Sequence, residues 1–305
     1  NSIIICGASS NERKSGNHVL RNLLNSGQEN IFLIHPIEEK IYGSPCYKKI
    51  SDIPLKKIDL AIIILPVNLV LDAIEDCLKF NIKSIIVESA SLYLKSKINQ
   101  ENINKRIDDI KKKMKQKKIR IMGPNSIGVY SAARSRSGFI TSLIYFEKLP
   151  KLRHKNLSII AQTGLTLSGL LLYQNYIQEF GIAKIASIGN KFDVNESDVL
   201  DFLENDPQTD AIALYLEDIK EGKRFLAQCK RIVKNKPIIL LKSGKTEKGK
   251  KAIISHTQSL AGDYKIIKAL SKQLGIITVE DFNEMFQVAK LLLNQEGKTI
   301  LETFT

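Results

Sequence analysis

The sequence has 305 residues, about twice the size of an ordinary domain, so two domains with a core each are expected and a small stapled scaffold is excluded. Hydrophobic residues are 43% and charged residues 26%, which excludes a disordered chain, and no apolar run nears the ~20 residues of a membrane span. The formal net charge of +14 favours an anionic partner: a nucleotide, a phosphorylated cofactor, nucleic acid or an acidic protein face.

Along the chain, short runs rich in Ile, Val and Leu alternate with segments of helical period. The first half predicts strands at Ile3 to Cys6, Ile31 to Ile34, Leu60 to Leu65, Ser84 to Val87 and Arg120 to Met122, with helices at His18 to Asn25 and Val70 to Phe80. Much of the positive charge falls in Lys105 to Lys118, where Ile107, Ile110 and Met114 recur at helical spacing; the lysines then form a solvated face. No aromatic residue interleaves with this run, so nucleic acid is disfavoured. Tyr130 to Lys155 loses the period and reads as a connector. The second half repeats the design, with strands at Leu157 to Ala161, Lys184 to Ile188, Ala211 to Leu216, Ile238 to Leu241 and Ile276 to Val279, and helices at Val199 to Glu204 and Arg224 to Lys234. Continuous apolar strands imply parallel sheets covered on both faces. The expectation is an α/β protein of two tandem doubly wound parallel-sheet domains, residues 1–129 and 156–293 about a connector at 130–155. Residues 294–305 begin a further β-leaning segment, which suggests a polypeptide that continues or a docking subunit.

Such sheets bind ligands beyond the carboxyl ends of their strands, so the residues after each strand carry the functional signal. In the first half these are Gly7-Ala8-Ser9-Ser10, His35-Pro36, Pro66-Val67, Glu88-Ser89-Ala90 and Gly123-Pro124-Asn125-Ser126. In the second they are Gln162-Thr163-Gly164, Gly189-Asn190-Lys191, Glu217-Asp218, Ser243-Gly244 and Glu280-Asp281. Small residues let backbone N–H groups approach a ligand, and a following helix start favours phosphate or carboxylate.

Several motifs are decoys. The first turn, CGASSNERKSG, lacks the GxGxxG spacing, and the second strand ends Ile34-His35-Pro36 without the acid that would hold a dinucleotide ribose. Gly244 to Lys251 nearly makes a P-loop, but Lys251 stands where a magnesium-binding hydroxyl belongs. Cys6, Cys46, Cys77 and Cys229 show no metal or disulfide spacing, which indicates a reducing, cytoplasmic compartment and no metal site. His18, His35 and His154 read as structural or solvated, and no GxSxG elbow supports hydrolase chemistry. His256 differs: it lies in IISHTQSLAG, among hydroxyls and small residues. Glu217, at a strand tip, is the carboxylate that would fix one ring nitrogen and leave the other as a nucleophile; alternatively it is only a helix-starting acid.

Taken in order, CGASS, Asp52-Ile53-Pro54 before Asp59-Leu60-Ala61-Ile62, Gly123-Pro124-Asn125-Ser126, Gln162-Thr163-Gly164, Gly189-Asn190-Lys191 with Asp193, Leu214-Tyr215-Leu216-Glu217, Lys242-Ser243-Gly244 and Ser255-His256-Thr257 running to Gly262 resemble the α portion of ADP-forming acyl-CoA synthetases, relatives of the succinyl-CoA synthetase α subunit. The resemblance implies a Rossmann-like coenzyme A domain followed by a flavodoxin-like domain. It implies that Gly7, Ala8, Ser9, Ser10, Pro36, Lys40, Pro66, Ser89 and Asn125 bind CoA, that Gln162, Thr163 and Gly164 bind phosphate, and that His256 becomes phosphorylated with Glu217 as its partner. It further implies acyl-CoA, phosphate and a carboxylic acid as substrates, and a β portion with an ATP-grasp domain, on a partner subunit or a fused segment, supplying ADP/ATP and Mg2+ in a hetero-oligomer or dimer. Departures are Thr163 for the usual serine, Gln258 and Ser91 for usual glycines, Ile37 where lysine often follows the proline, and a poor match over Tyr130 to Phe146, where the acyl pocket is unidentified. Two other readings remain open: the CoA-sensing region of a protein-lysine acetyltransferase-like fusion, and a CoA-binding module without phosphoryl chemistry.

Overall fold

A computed structural model describes residues 2–92, 100–132, 138–147, 152–162, 180–245 and 264–294. The chain divides into two compact units, one of Asn1–Gly128, Phe139–Glu147 and Ile188–Val194, the other of Val129–Gly138, Lys148–Ser187 and Asn195–Thr305.

The first unit is built on β1 (Ile3–Cys6), β2 (Ile31–Ile34), β3 (Lys40–Ile41), β4 (Ser44–Tyr47), β5 (Leu60–Ile63), β6 (Ser84–Val87) and β7 (Arg120–Met122). They lie in the order β3-β4-β2-β1-β5-β6-β7, all pairs parallel except β3 with β4. Helices α1 (Ser15–Asn25), α2 (Val67–Lys79) and α3 (Gln100–Lys117) supply the crossovers. Side chains alternate across a strand, so Ile3 and Ile5 join Val19, Leu20 and Leu23 of α1, while Ile4 and Cys6 join Val70, Ile74 and Cys77 of α2 and Ile110 and Met114 of α3. Each large apolar side chain so buried contributes roughly 1.5–3 kcal/mol, which explains why these strands read as unbroken apolar runs. The lysines of α3 face solvent as its periodicity predicts, except Lys117 in the last turn, which is half-buried and donates to the Leu78 carbonyl.

The second unit contains β10 (Asn156–Ala161), β11 (Gly181–Ser187), β12 (Ala211–Leu216), β13 (Ile238–Lys242) and β14 (Ile277–Val279), with α4 (Glu196–Glu204), α5 (Gly222–Ile232), α6 (Tyr264–Leu274) and α7 (Phe282–Asn294). The stretch expected to be a connector holds two further strands, β8 (Gly128–Ser131) and β9 (Phe139–Ser142). Strand β8 pairs antiparallel with β11, so the sheet, ordered β14-β13-β12-β10-β11-β8, is mixed rather than wholly parallel. These strands are only four residues long, and GVYS and FITS mix apolar with small or hydroxyl residues, so they lack the apolar pattern that marks the others. Helix α4 opens on a capping box: Asn195 accepts from the N–H groups of Ser197 and Asp198, and the Asp198 carboxylate accepts from the Asn195 N–H.

All four cysteines are unpaired thiols. Burial pushes those of Cys6 and Cys229 up to about 12, so they are packing groups rather than nucleophiles. Among the described residues, no helix is long and apolar enough to cross a membrane.

Candidate functional site

In the first sheet the strand order reverses at β1, which runs to β2 on one side and β5 on the other. The crevice between the carboxyl ends of β1 and β5 is therefore the switch point, the place where open α/β sheets take their ligands. Gly7 follows β1 with φ of +102°, and a Cβ there would run into the Ile64 carbonyl oxygen beyond β5. A Cβ on Gly16, in the first turn of α1, would meet the carbonyl oxygen of Gly7. These two glycines let the turn, the helix start and the neighbouring strand close on one another. Helix α1 has Lys14 as N-cap residue with no side-chain cap and no acid in its first turn; α2 likewise follows Pro66 uncapped. Uncapped N–H groups beside Arg13 and Lys14 suit an anionic group such as a phosphate, whereas α4, closed by Asn195 and two acids, does not.

The other first-domain positions fall along the same sheet edge. Within the turn, Ser9 Oγ accepts from Asn11 N–H at 3.2 Å, and Ser10 Oγ donates to Glu38 Oε1 at 2.8 Å. Pro36 and Lys40 are exposed beyond β2. His35 is structural here: Nδ1 accepts from the N–H groups of Ile37 and Glu38. Ser89 is buried after β6, where its hydroxyl donates to Leu65 O at 2.8 Å and accepts from Leu65 N–H at 2.9 Å, tying the β6 tip to the β5 tip. Asn125, at φ +60°, donates its backbone N–H to Ser89 O at 2.7 Å. Asn17 escapes sequence reasoning; it is buried in α1 and donates to Ser9 O at 2.9 Å, fixing the turn. Only its place one residue after Gly16 hints at this. Replacing Gly16 by Ala should displace the turn, because the obstructing atom is backbone. The clash, about 1–3 kcal/mol, exceeds the helix-propensity gain of alanine, so a lower melting temperature and at least about tenfold weaker CoA binding are expected by calorimetry.

The second sheet reverses at β10, between β11 and β12. Its switch point is therefore flanked by Gln162, after β10, and by Glu217 and Asp218, after β12. All three are buried. Gln162 Oε1 accepts from the backbone N–H groups of Glu217 at 2.9 Å and Asp218 at 3.1 Å, and its Nε2 donates to Asp218 Oδ1 at 2.5 Å. From β13, Lys242 Nζ donates to the Glu217 carbonyl at 2.6 Å. Glu196, fully buried at the start of α4, accepts from Lys220 N–H at 2.8 Å. The tip thus holds Gln162, Glu217 and Asp218 in one bonded network, with Lys242 on the Glu217 carbonyl and Glu196 of α4 on the Lys220 N–H. At the end of β14, Lys245 and Tyr264 both bond the Glu280 carboxylate, at 2.6 and 3.3 Å. Thr163, Gly164, His256 and most of the Gly244 to Lys251 loop lie outside the described residues.

Residues 1–132 match the model of a CoA binding domain, and residues 154–292 that of a succinyl-CoA ligase like flavodoxin domain. Two mixed α/β sheets in tandem, a Rossmann-like CoA-binding domain and then a flavodoxin-like one, define the class. The ADP-forming acetate–CoA ligase II of Archaeoglobus fulgidus is 36% identical over 95% of this chain and 41% of its own length. The α subunit of ADP-forming acetate–CoA ligase II of Pyrococcus furiosus is 32% identical over 94% of this chain and 60% of its own. The dinucleotide-forming acetyl-coenzyme A synthetase 1 of Ca. Korarchaeum cryptofilum, solved with phosphate and ADP, superposes with a TM-score of 0.78 at 33% identity, over 97% of this chain and 61% of that one. Over nearly its whole length the chain is similar to the α part of ADP-forming acyl-CoA synthetases. It spans between two and three fifths of the length of these relatives.

Proposed function

We propose that this chain, with residues 1–129 as its CoA domain and 156–293 as its ligase domain, is the α portion of an acid–CoA ligase. The reaction is acyl-CoA + ADP + phosphate ⇌ carboxylate + CoA + ATP. A phosphate oxygen attacks the thioester carbonyl, the C–S bond breaks, and the CoA thiolate leaves and takes up a proton. A ring nitrogen of His256 then attacks the phosphorus of the acyl phosphate, and the carboxylate leaves as the P–O bond breaks. The phosphoryl group passes from His256 to ADP, re-forming the free imidazole. Glu217 orients the ring and offsets the charge it gains, and Thr163 and Gly164 cradle the phosphate oxygens, with Gln162 bracing the turn.

Gly7, Ala8, Ser9 and Ser10 with the α1 start take the CoA phosphates, and Pro36, Lys40, Pro66, Ser89 and Asn125 line the same edge. A β portion with an ATP-grasp domain, as a partner subunit or on the same polypeptide, brings ADP/ATP and Mg2+. Four unpaired cysteines support a cytoplasmic site of action.

The observation that carries the reading is the buried Glu217 held at the switch point of a flavodoxin-like sheet. Its relatives do not favour a regulatory appendage of an acetyltransferase. The test is radiolabelling of the chain together with its ATP-grasp portion: ATP, or acyl-CoA plus phosphate, should place an acid-labile, base-stable phosphate on it. CoA binding without label under either condition would leave only a CoA-binding module.

A further inference from the structure

We propose that Lys242 is a positioning residue for the phosphoryl-transfer step, its buried ammonium fixing the backbone of Glu217 from the side opposite Gln162. The inference rests on Glu217 acting as proposed above. Strand β13 reads Ile-Ile-Leu-Leu before it ends on this lysine, which is as buried as the apolar residues preceding it. Lysine is almost never fully enclosed unless partnered, because taking an ammonium out of water is costly. A leucine or methionine would fill the position without that cost. The side chain instead crosses to the adjacent strand tip, where Nζ donates to the carbonyl oxygens of Glu217 and Ser243, both at 2.6 Å.

Gln162 already holds the peptide N–H of Glu217 at 2.9 Å from β10. Lys242 holds the carbonyl of the same residue from β13, so both peptide groups flanking the Glu217 Cα are fixed by side chains of the two neighbouring strands. Charge-assisted bonds are the stronger kind, and both bonds that Lys242 makes here carry its ammonium charge. A carboxylate that must meet an imidazole within hydrogen-bond reach benefits directly, since a displacement of about 1 Å can slow a reaction ~100-fold.

The test uses the full chain with its ATP-grasp portion and compares wild type, Lys242→Met and Lys242→Arg by the rate of phosphate labelling, the half-saturating CoA concentration and the melting temperature. Lys242→Met should label about 10–100-fold more slowly with unchanged half-saturation for CoA. Lys242→Arg keeps the charge, but its planar fork cannot place one nitrogen between both carbonyls, so it should fall at least about fivefold while melting like wild type. A folded Lys242→Met that labels at the wild-type rate overturns the proposal. Should that variant not fold, wild-type labelling by Lys242→Arg overturns it instead. A wild-type chain that takes no label refutes the phosphohistidine reading itself, and the role of Lys242 with it.

Discussion

With its ATP-grasp portion, a chain carrying His256→Asn is expected to accept no acid-labile phosphate from ATP, and Glu217→Gln to accept it on the order of 10²–10⁴-fold more slowly. The two losses have different causes. Asparagine has no nucleophilic nitrogen, so the phosphoryl group has no carrier and net turnover stops. Glutamine at 217 keeps the size of the side chain and the backbone bonds to Gln162 and Lys242, and removes only the charge. Its amide can present either oxygen or nitrogen to the ring, so the imidazole tautomer is no longer set, and the positive charge that develops on the phosphorylated ring loses its counter-charge. The first-domain edge is untouched by either change, so the half-saturating CoA concentration should stay at its wild-type value while the labelling rate falls. Rapid-quench labelling at saturating ATP separates the two quantities. A Glu217→Gln variant that labels as fast as wild type would make this acid a structural helix-starting residue.

Strands β1, β2, β5, β6, β7, β12 and β13 were legible because a strand covered on both faces is mostly apolar, with polar residues only at its ends, and such short runs stand out between Gly, Pro and polar residues. Helices α1 and α2 begin at Ser15 and Val67, a turn before their apolar period becomes visible: the first turn of α1 is Ser15, Gly16 and Asn17, buried in part but not apolar, and that of α2 is largely solvated. Strands β8 and β9 were not legible. Pairing at Gly128–Ser131 is decided by a backbone partner some fifty residues away, at Lys184 to Ala186, and no local pattern carries that information. The strand tips could be read as a set, but not which pair flanks a switch point. Strand order, which places Gly7 beside Pro66 and Gln162 beside Glu217, is a property of the sheet alone. The side-chain roles of Gln162, Lys242 and Asn17 share that origin: each bonds a backbone group brought near by the sheet or by the adjoining turn. His256, Thr163 and Gly164 lie outside the described residues, so their part in the site rests on the resemblance and on the chemistry of the imidazole.

Glu88 is where the fold and the ligand-binding edge conflict most sharply, and Glu88→Gln is expected to stabilise the first domain progressively as pH rises from about 5 to 8. The residue follows β6 at 3% exposure, and neither carboxyl oxygen has a well-formed hydrogen bond. Burial raises its carboxyl from 4.5 to about 8, opposed only in part by the nearby Thr141 hydroxyl. The group is therefore largely neutral in the folded protein at pH 7 and ionised in the unfolded chain. A carboxyl whose folded value lies above its unfolded one binds the extra proton in the folded state. Its contribution is most favourable below the unfolded value of 4.5 and is lost as pH rises through the folded value of about 8. A displacement of that size corresponds to roughly 4–5 kcal/mol between the ends of the window. The carboxylates of Asp59, Asp201 and Glu204 are held below their ordinary range, first by hydrogen bonds from Ser2, Arg224 and Arg231, and act in the opposite sense, losing stability on acidification. The two limbs are separated by taking the difference between variant and wild type. The melting temperature of Glu88→Gln minus that of wild type should be near zero at pH 4.5 and grow by several degrees up to pH 8. A difference that stays flat across this range would mean that Glu88 remains ionised in the folded domain, with a cation or water compensating it.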